Sequence, residues 1–344
     1  MKSNEADVDE IVGDFGGSLS GMCVLVTGGA GFLGSWLCDI LVKFGADVTA
    51  IDNLSSGKRE NISNLIKSRQ FKFIKADVVS TGHVPGSYDL IFHFASPPSP
   101  DDYQTRPIDT MLANSIGTLN MLRIAEKKSC PMVFASTSEI YGDARIVPTP
   151  EIYWGEVNPV GPRSCHDESK RFAEALCASF RIQRSVDVRV IRLFNSYGPR
   201  LGPEGACGKV ISKFLFQAMD GQPITVYGDG FQTRSFCYVT DTIRGIIKVA
   251  TSPVAKNGTF NIGSPDEISI IELARLVRSI TGSDSEVVHL PRPMDDPERR
   301  CPDISKAREM LGWRPRVDLR IGLGRTLNWI KANYPIKAKQ VINA

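Results

Sequence analysis

Met22-Cys23-Val24-Leu25-Val26-Thr27 runs into Gly28-Gly29-Ala30-Gly31-Phe32-Leu33-Gly34 and then into Ser35-Trp36-Leu37-Cys38-Asp39-Ile40-Leu41, and this passage decides the fold. Its first six residues are apolar and rich in β-branched types, the signature of a short buried strand. After the glycines, Trp36, Leu37, Ile40, Leu41 and Phe44 recur at helical spacing, and Gly45 closes the segment. Strand, glycine turn and helix in that order make a cradle for phosphate. Glycines let the backbone approach a pyrophosphate, and the helix start offers free N–H groups and a positive dipole end.

Working outward, Asp47 to Ile51 reads as a second strand ending at Asp52, which lies 18 residues beyond Gly34. A carboxylate there can accept from both hydroxyls of an adenosine ribose and would repel a 2′-phosphate, which favours NAD over NADP. Further strands are expected at Phe71 to Ile74, Leu90 to Phe94, Met132 to Ala135 and Val188 to Leu193. Helical stretches separate them, among them Ile116 to Lys128 and Ser169 to Gln183. The alternation predicts an α/β fold, a doubly wound parallel sheet covered on both faces. Residues 21–194 are expected to form most of this dinucleotide-binding domain. Residues 195–335 read mainly as a smaller C-terminal substrate-binding lobe, with about 236–262 returning to the first domain. Residues 1–20 read as a mobile leader and 336–344 as a tail.

With 344 residues, 42% hydrophobic and 23% charged, the chain has the composition of an ordinary globular protein. Its net charge of +3 is scattered, which argues against a nucleic-acid or membrane-surface partner and for small anionic ligands. The eight cysteines show no CxxC pair or metal-ligand spacing, so they read as reduced, with no metal expected. No apolar run reaches the ~20 residues of a membrane span, and a cytoplasmic location is expected.

The Gly28-x-x-Gly31-x-x-Gly34 spacing is that of the short-chain dehydrogenase/reductase superfamily. Downstream segments resemble its extended branch, which modifies sugar nucleotides. Asp77-Val78 looks like the pair that contacts adenine, His93-Phe94-Ala95-Ser96 like the segment lining the cofactor, and Tyr227-Gly228-Asp229-Gly230-x-Gln232-x-Arg234 like the one holding uridine diphosphate. Thr137-Ser138-Glu139, Asn158-Pro159-Val160-Gly161-Pro162-Arg163-Ser164-Cys165 and Asp295-Asp296-Pro297-Glu298-Arg299-Arg300 are similar to segments of UDP-glucuronate decarboxylases. The resemblance implies a Rossmann-type fold, NAD as cofactor and a UDP-sugar substrate. Its implied reaction is decarboxylation of UDP-glucuronate to UDP-xylose through a 4-keto intermediate. It also implies a homodimer formed through the helices Ile108 to Lys128 and Ser169 to Gln183.

Residue by residue, it assigns cofactor contacts to Gly28, Gly31, Phe32, Leu33, Gly34, Asp52, Asn53, Ser55, Gly57, Asp77, Val78, Phe94, Ala95, Ser96 and Lys170. Substrate contacts fall on Tyr103, Glu139, Asn195, Lys209, Tyr227, Gln232, Arg234 and Arg300. Thr137 or Ser138 would hold the oxygen on carbon 4, Glu139 would orient the sugar or help reprotonate carbon 5, and Arg300 would neutralise a carboxylate.

One position departs from the pattern. The family places a tyrosine base four residues before the lysine, on one helix face, and this chain has His166 before Lys170. Three readings stand at this point. A neutral imidazole can accept the proton itself, with the Lys170 ammonium expected to keep it neutral near pH 7. Alternatively the site binds sugar nucleotide without turnover, as a pseudoenzyme. Otherwise another residue is the base, or the histidine is an engineered substitution. A related 4-epimerase or 4,6-dehydratase is the neighbouring enzymatic reading.

Overall fold

The computed structural model describes residues 5–202 and 210–334. A seven-stranded sheet is its centre. In chain order its first six strands are β1 (Cys23–Thr27), β2 (Asp47–Asp52), β3 (Phe71–Lys75), β4 (Leu90–His93), β5 (Met132–Thr137) and β6 (Val188–Leu193). Across the sheet they run β6-β5-β4-β1-β2-β3, with Thr259–Ile262 added beyond β6, and every pairing is parallel. The order reverses between β1 and β4, where a doubly wound sheet opens a crevice at its carboxyl edge. β1 and β4 are buried throughout or nearly so, as the continuous apolar runs of a two-face-covered sheet require.

Smaller sheets form from later parts of the chain. Thr233–Ser235 pairs antiparallel with Glu267–Ser269 and parallel with Arg299–Arg300, while Ile224–Tyr227 pairs with Val287–Leu290. The helix Ile270–Thr281 is started by a complete capping box, with Ser269 and Glu272 each satisfying the other's backbone N–H.

Two expectations are corrected. Residues 5–15 are not a loose leader but a helix, α1 (Glu5–Phe15), whose Val8 and Ile11 are buried in the main core. Its acidic face is tied down by cations from distant parts of the chain. Asp14 pairs with Arg244 and Arg316, Glu10 with Arg244 and Asp7 with Arg325. The second correction concerns the helix expected from Ser169. It begins five residues earlier, as Ser164–Arg184, so His166 and Lys170 lie in its first two turns. The tail at 336–344 lies outside the described residues.

Candidate active site

Tight backbone geometry shapes the cofactor end of the crevice. Gly28 has φ +72°, and a Cβ there would stand 2.7 Å from the Phe94 carbonyl. At Gly34 a Cβ would fall 2.0 Å from the Gly28 oxygen. Only glycine lets the turn fold back on the start of α2 (Phe32–Lys43), whose N-cap Gly31 has no side-chain cap, so the first helical N–H groups are left for a ligand. Asp52, at the end of β2, accepts from the Ala30 and Leu54 N–H groups at 3.0 and 2.8 Å. Burial pushes its carboxyl upward while those N–H groups oppose the shift. Asn53 donates to Asp77 at 2.9 Å and accepts from the Ser55 N–H at 2.9 Å, joining the ends of β2 and β3.

A cleft of about 400 Å³ runs from this turn across the sheet edge. Gly28, Gly31, Phe32, Leu33, Gly34, Asp52, Asn53, Ser55, Asp77, Val78, Phe94, Ala95, Ser96 and Lys170 line it. Gly57 does not, although a side chain there would press to 2.8 Å from both Asp52 carboxylate oxygens. Among the reaction residues, Thr137, Ser138, Glu139, His166, Lys170, Asn195 and Arg300 line the same cleft. Tyr103, Tyr227, Gln232 and Arg234 stand outside its wall, and Lys209 lies outside the described residues. The reasons are local. Tyr103 is fully buried, Gln232 donates to the Tyr227 carbonyl at 2.7 Å, and Arg234 pairs with Asp296 at 2.9 Å.

His166 sits in a cluster of charges. Its Nδ1 approaches Glu139 Oε2 at 2.7 Å and Asp167 Oδ1 at 3.5 Å, and its ring stacks on Tyr103 with centroids 4.9 Å apart and planes 15° apart. The Glu139 oxygen lies off the ring N–H axis, so the contact is a close approach without hydrogen-bond geometry. Arg163 and Arg300 hold the other Glu139 oxygen, Arg300 at 3.3 Å. Burial disfavours charge on Glu139, but Arg163, His166 and Arg300 outweigh it and hold the carboxyl well below its usual range. Asp167 moves the other way, raised chiefly by burial.

The direction of the shift expected for His166 is therefore corrected. Burial disfavours the imidazolium, but Glu139 and Asp167 outweigh burial and Lys170 together, so its pKa is raised. Burial instead pushes Lys170 down to about 7. Lys170 Nζ donates to the Ala135 carbonyl at 2.8 Å and lies 4.9 Å from the Phe134 ring centroid. Thr137 accepts from the Glu139 N–H at 3.2 Å and so starts the turn Ser138–Tyr141 that presents the acid. Arg163, read in the sequence only as part of a family segment, and Asp167, given no site role there, complete the cluster. Their signal was adjacency, since both lie within three residues of His166.

A parallel sheet with a glycine cradle at its crevice, an acid at the end of the next strand and a lysine on the neighbouring helix defines a dinucleotide-dependent enzyme of the short-chain dehydrogenase type. The chain belongs to the NAD dependent epimerase/dehydratase family, whose model matches residues 24–263, and it groups there with UDP-glucuronic acid decarboxylases. It is 45% identical over 308 residues to UDP-glucuronic acid decarboxylase 1 of Xenopus tropicalis, covering 90% of this chain and 72% of that one. Identity to UDP-glucuronic acid decarboxylase 1 of Arabidopsis thaliana is 43% over 305 residues, covering 89% and 69%. Among solved structures, UDP-glucuronic acid 4-epimerase of Bacillus cereus, in complex with UDP-glucuronic acid and NAD, superposes with a TM-score of 0.82 at 27% identity. That match covers 91% of this chain and 100% of the epimerase. NAD is the cofactor, and the cradle, Asp52 and Lys170 are the residues that fit it.

Proposed function

We propose that this protein decarboxylates UDP-glucuronate to UDP-xylose. The observation that carries the reading is the pairing of Glu139 with Arg300 beside the cofactor crevice. An epimerase acting on the carbon-4 hydroxyl needs no acid there, whereas a decarboxylase must also deliver a proton to carbon 5. NAD, when bound, accepts the hydride from carbon 4 and returns it. Oxidation at carbon 4 turns the substrate into a β-keto acid, whose carboxylate leaves as carbon dioxide because the carbonyl takes up the electron pair.

The chain's own residues have separate tasks in this scheme. Lys170 holds the nicotinamide ribose, Thr137 and Ser138 hydrogen-bond the oxygen on carbon 4, and Arg300 binds the departing carboxylate. Glu139 orients the ring and serves the reprotonation at carbon 5. Asn195, Lys209, Tyr227, Gln232 and Arg234 belong to the uridine diphosphate end, and Tyr103 to the sugar end. Gln232 and Arg234 would have to exchange their present protein partners for the nucleotide.

The same reading includes a homodimer in the cytoplasm. Ile108 is 71% exposed, Phe172 54% and Ile182 86%, an apolar load on two helices that a second copy would cover. No helix among the described residues is long and apolar enough to cross a membrane.

Incubation with UDP-glucuronate, followed by carbon dioxide release and product analysis, tests the activity. UDP-xylose and carbon dioxide are expected. Retained NAD and bound nucleotide with no product from either the parent or His166→Tyr would instead identify a sugar-nucleotide-binding protein. Epimerised UDP-galacturonate would identify the neighbouring reaction.

A further inference from the structure

The contact between His166 and Glu139 has no counterpart in a site built on tyrosine and lysine. We infer that Glu139 and His166 act as a carboxylate–imidazole pair: Glu139, fixed by Arg163, orients the ring from the Nδ1 side, and the neutral ring, with its proton on Nδ1, takes the proton of the carbon-4 hydroxyl at Nε2. This rests on the decarboxylase reading above and assigns new positioning tasks within it.

Geometry carries the inference. Glu139 Oε2 lies 2.7 Å from Nδ1, and among the described residues none hydrogen-bonds Nε2, the ring's other nitrogen. Tyr103, from the helix Pro100–Thr105, stacks on the imidazole and fixes its plane. Arg163 and Arg300 share Glu139 Oε1, which leaves Oε2 for the ring. Arg163, 8% exposed, also reaches Asp296 at 3.8 Å, so the chain of contacts runs Asp296, Arg163, Glu139, His166. The groups facing the imidazole are Glu139 and Asp167, which favour its protonation, Lys170, which opposes it, and the neutral Tyr103.

Glu139, His166 and Asp167 also offer three potential metal-ligand atoms within 4.8 Å of one another. Two ligands of one ion at ~2.1 Å stand roughly 3.0–3.4 Å apart. The 2.7 Å approach of Nδ1 to Oε2 is shorter than that spacing.

The step balances. As carbon 4 is oxidised, its O–H bond breaks and the proton passes to Nε2, while the C–H electron pair leaves as hydride to the oxidised nicotinamide. Glu139 stays ionised and stabilises the imidazolium, and when the carbonyl is reduced again the same proton returns to the oxygen. In this scheme His166 is the catalytic residue, and Glu139 toward the ring and Arg163 toward Glu139 are positioning residues.

Glu139 also has a substrate role, so the test must separate the two. The experiment is a double-mutant cycle on carbon dioxide release, using the parent, Glu139→Gln, His166→Tyr and the double variant, each with a pH profile of kcat/KM. Removing the carboxylate from the parent is expected to cost on the order of 100-fold and to move the acidic limb to lower pH, because the imidazole loses the charge that raises its pKa. In the His166→Tyr background the loss is expected to be at least ten times smaller, with no movement of that limb. Equal losses in both backgrounds, or an unmoved limb in the parent, would overturn the pair. Arg163→Lys, which keeps the charge, is expected to restore most of what Arg163→Met loses, and equal defects would remove Arg163 from the chain. Should the parent release no carbon dioxide while His166→Tyr does, the pair is refuted and the decarboxylase reading stands. Should neither release any, both fall.

Discussion

Replacing Gly34 by alanine puts the cofactor cradle to a strict test. The new Cβ would stand 2.0 Å from the Gly28 carbonyl oxygen, 2.8 Å from its carbon and 3.0 Å from Gly29 Cα, all of them backbone. Ordinary contact begins at 3.4 Å, so turn and helix must part by roughly 1.4 Å (3.4 − 2.0). Overpacking of this kind costs about 1–3 kcal/mol in stability. Because the atoms that move are those facing the pyrophosphate, a displacement above an ångström is expected to weaken NAD binding on the order of 100-fold. The matched control is Gly324→Ala. Gly324 lies inside the helix Leu319–Asn333 with no atom within 4 Å of its added Cβ, so alanine there is expected to stabilise by about 0.5–1 kcal/mol. NAD released on denaturation, fluorescence titration with NAD and denaturant unfolding read both variants. If Gly34→Ala binds NAD as tightly as the parent, the cradle does not hold the pyrophosphate.

Three other predictions are independent of turnover. Arg244 is buried against the fully buried Asp241 and also pairs with Glu10 and Asp14. Arg244→Met strands those acids and is expected to cost about 3–5 kcal/mol by denaturant unfolding, whereas Glu10→Gln, on an exposed side chain that leaves Arg244 its other two acids, costs under about 1 kcal/mol. Lys170 is depressed to about 7 when folded and recovers its ordinary value near 10.4 when unfolded. The unfolded chain therefore holds the extra proton across that window, and this residue's contribution to stability rises with pH through it. Lys170→Met is expected to gain more stability at pH 6 than at pH 10, and an equal gain at both would show that Lys170 keeps its charge. Phe172→Glu with Ile182→Glu is expected to turn a dimer into monomers by light scattering while leaving NAD binding intact.

What the sequence made legible was local. β1, the turn and α2 follow one another without a break, and each is dictated by neighbours within a few residues, so their pattern suffices. Asp52 is found because it ends the next strand. α1 was missed for the opposite reason. Its apolar residues Val8, Ile11, Val12 and Phe15 do recur at helical spacing, but an isolated eleven-residue helix is marginal in water. Its support comes from Arg244, Arg316 and Arg325, more than two hundred residues away along the chain. Glu139 and His166 were each singled out in the sequence. Their 2.7 Å contact was not visible there, because it depends on how the turn after β5 meets the helix Ser164–Arg184. Gln232 and Arg234 show the limit of transfer by motif, since a matching residue can still spend its polar group on a neighbour.

The charges around Glu139 also bear on how substrate would prepare the base. Arg300 reaches Glu139 Oε1 with one nitrogen, while its buried Nε has no hydrogen-bond partner among the described residues, so the guanidinium has capacity to spare for an arriving carboxylate. A sugar carboxylate drawn to Arg300 would bring a negative charge into a cluster where burial magnifies Coulomb interactions. Arg300 would then neutralise Glu139 less, and the acid's influence on Nδ1 would grow. Both effects favour a proton on the imidazole, the direction required for it to accept one from carbon 4. A UDP-hexose without the carboxylate would leave Arg300 on Glu139 and the imidazole a weaker base. Discrimination for the acidic sugar would then lie in the proton transfer as well as in binding, through the same two side chains.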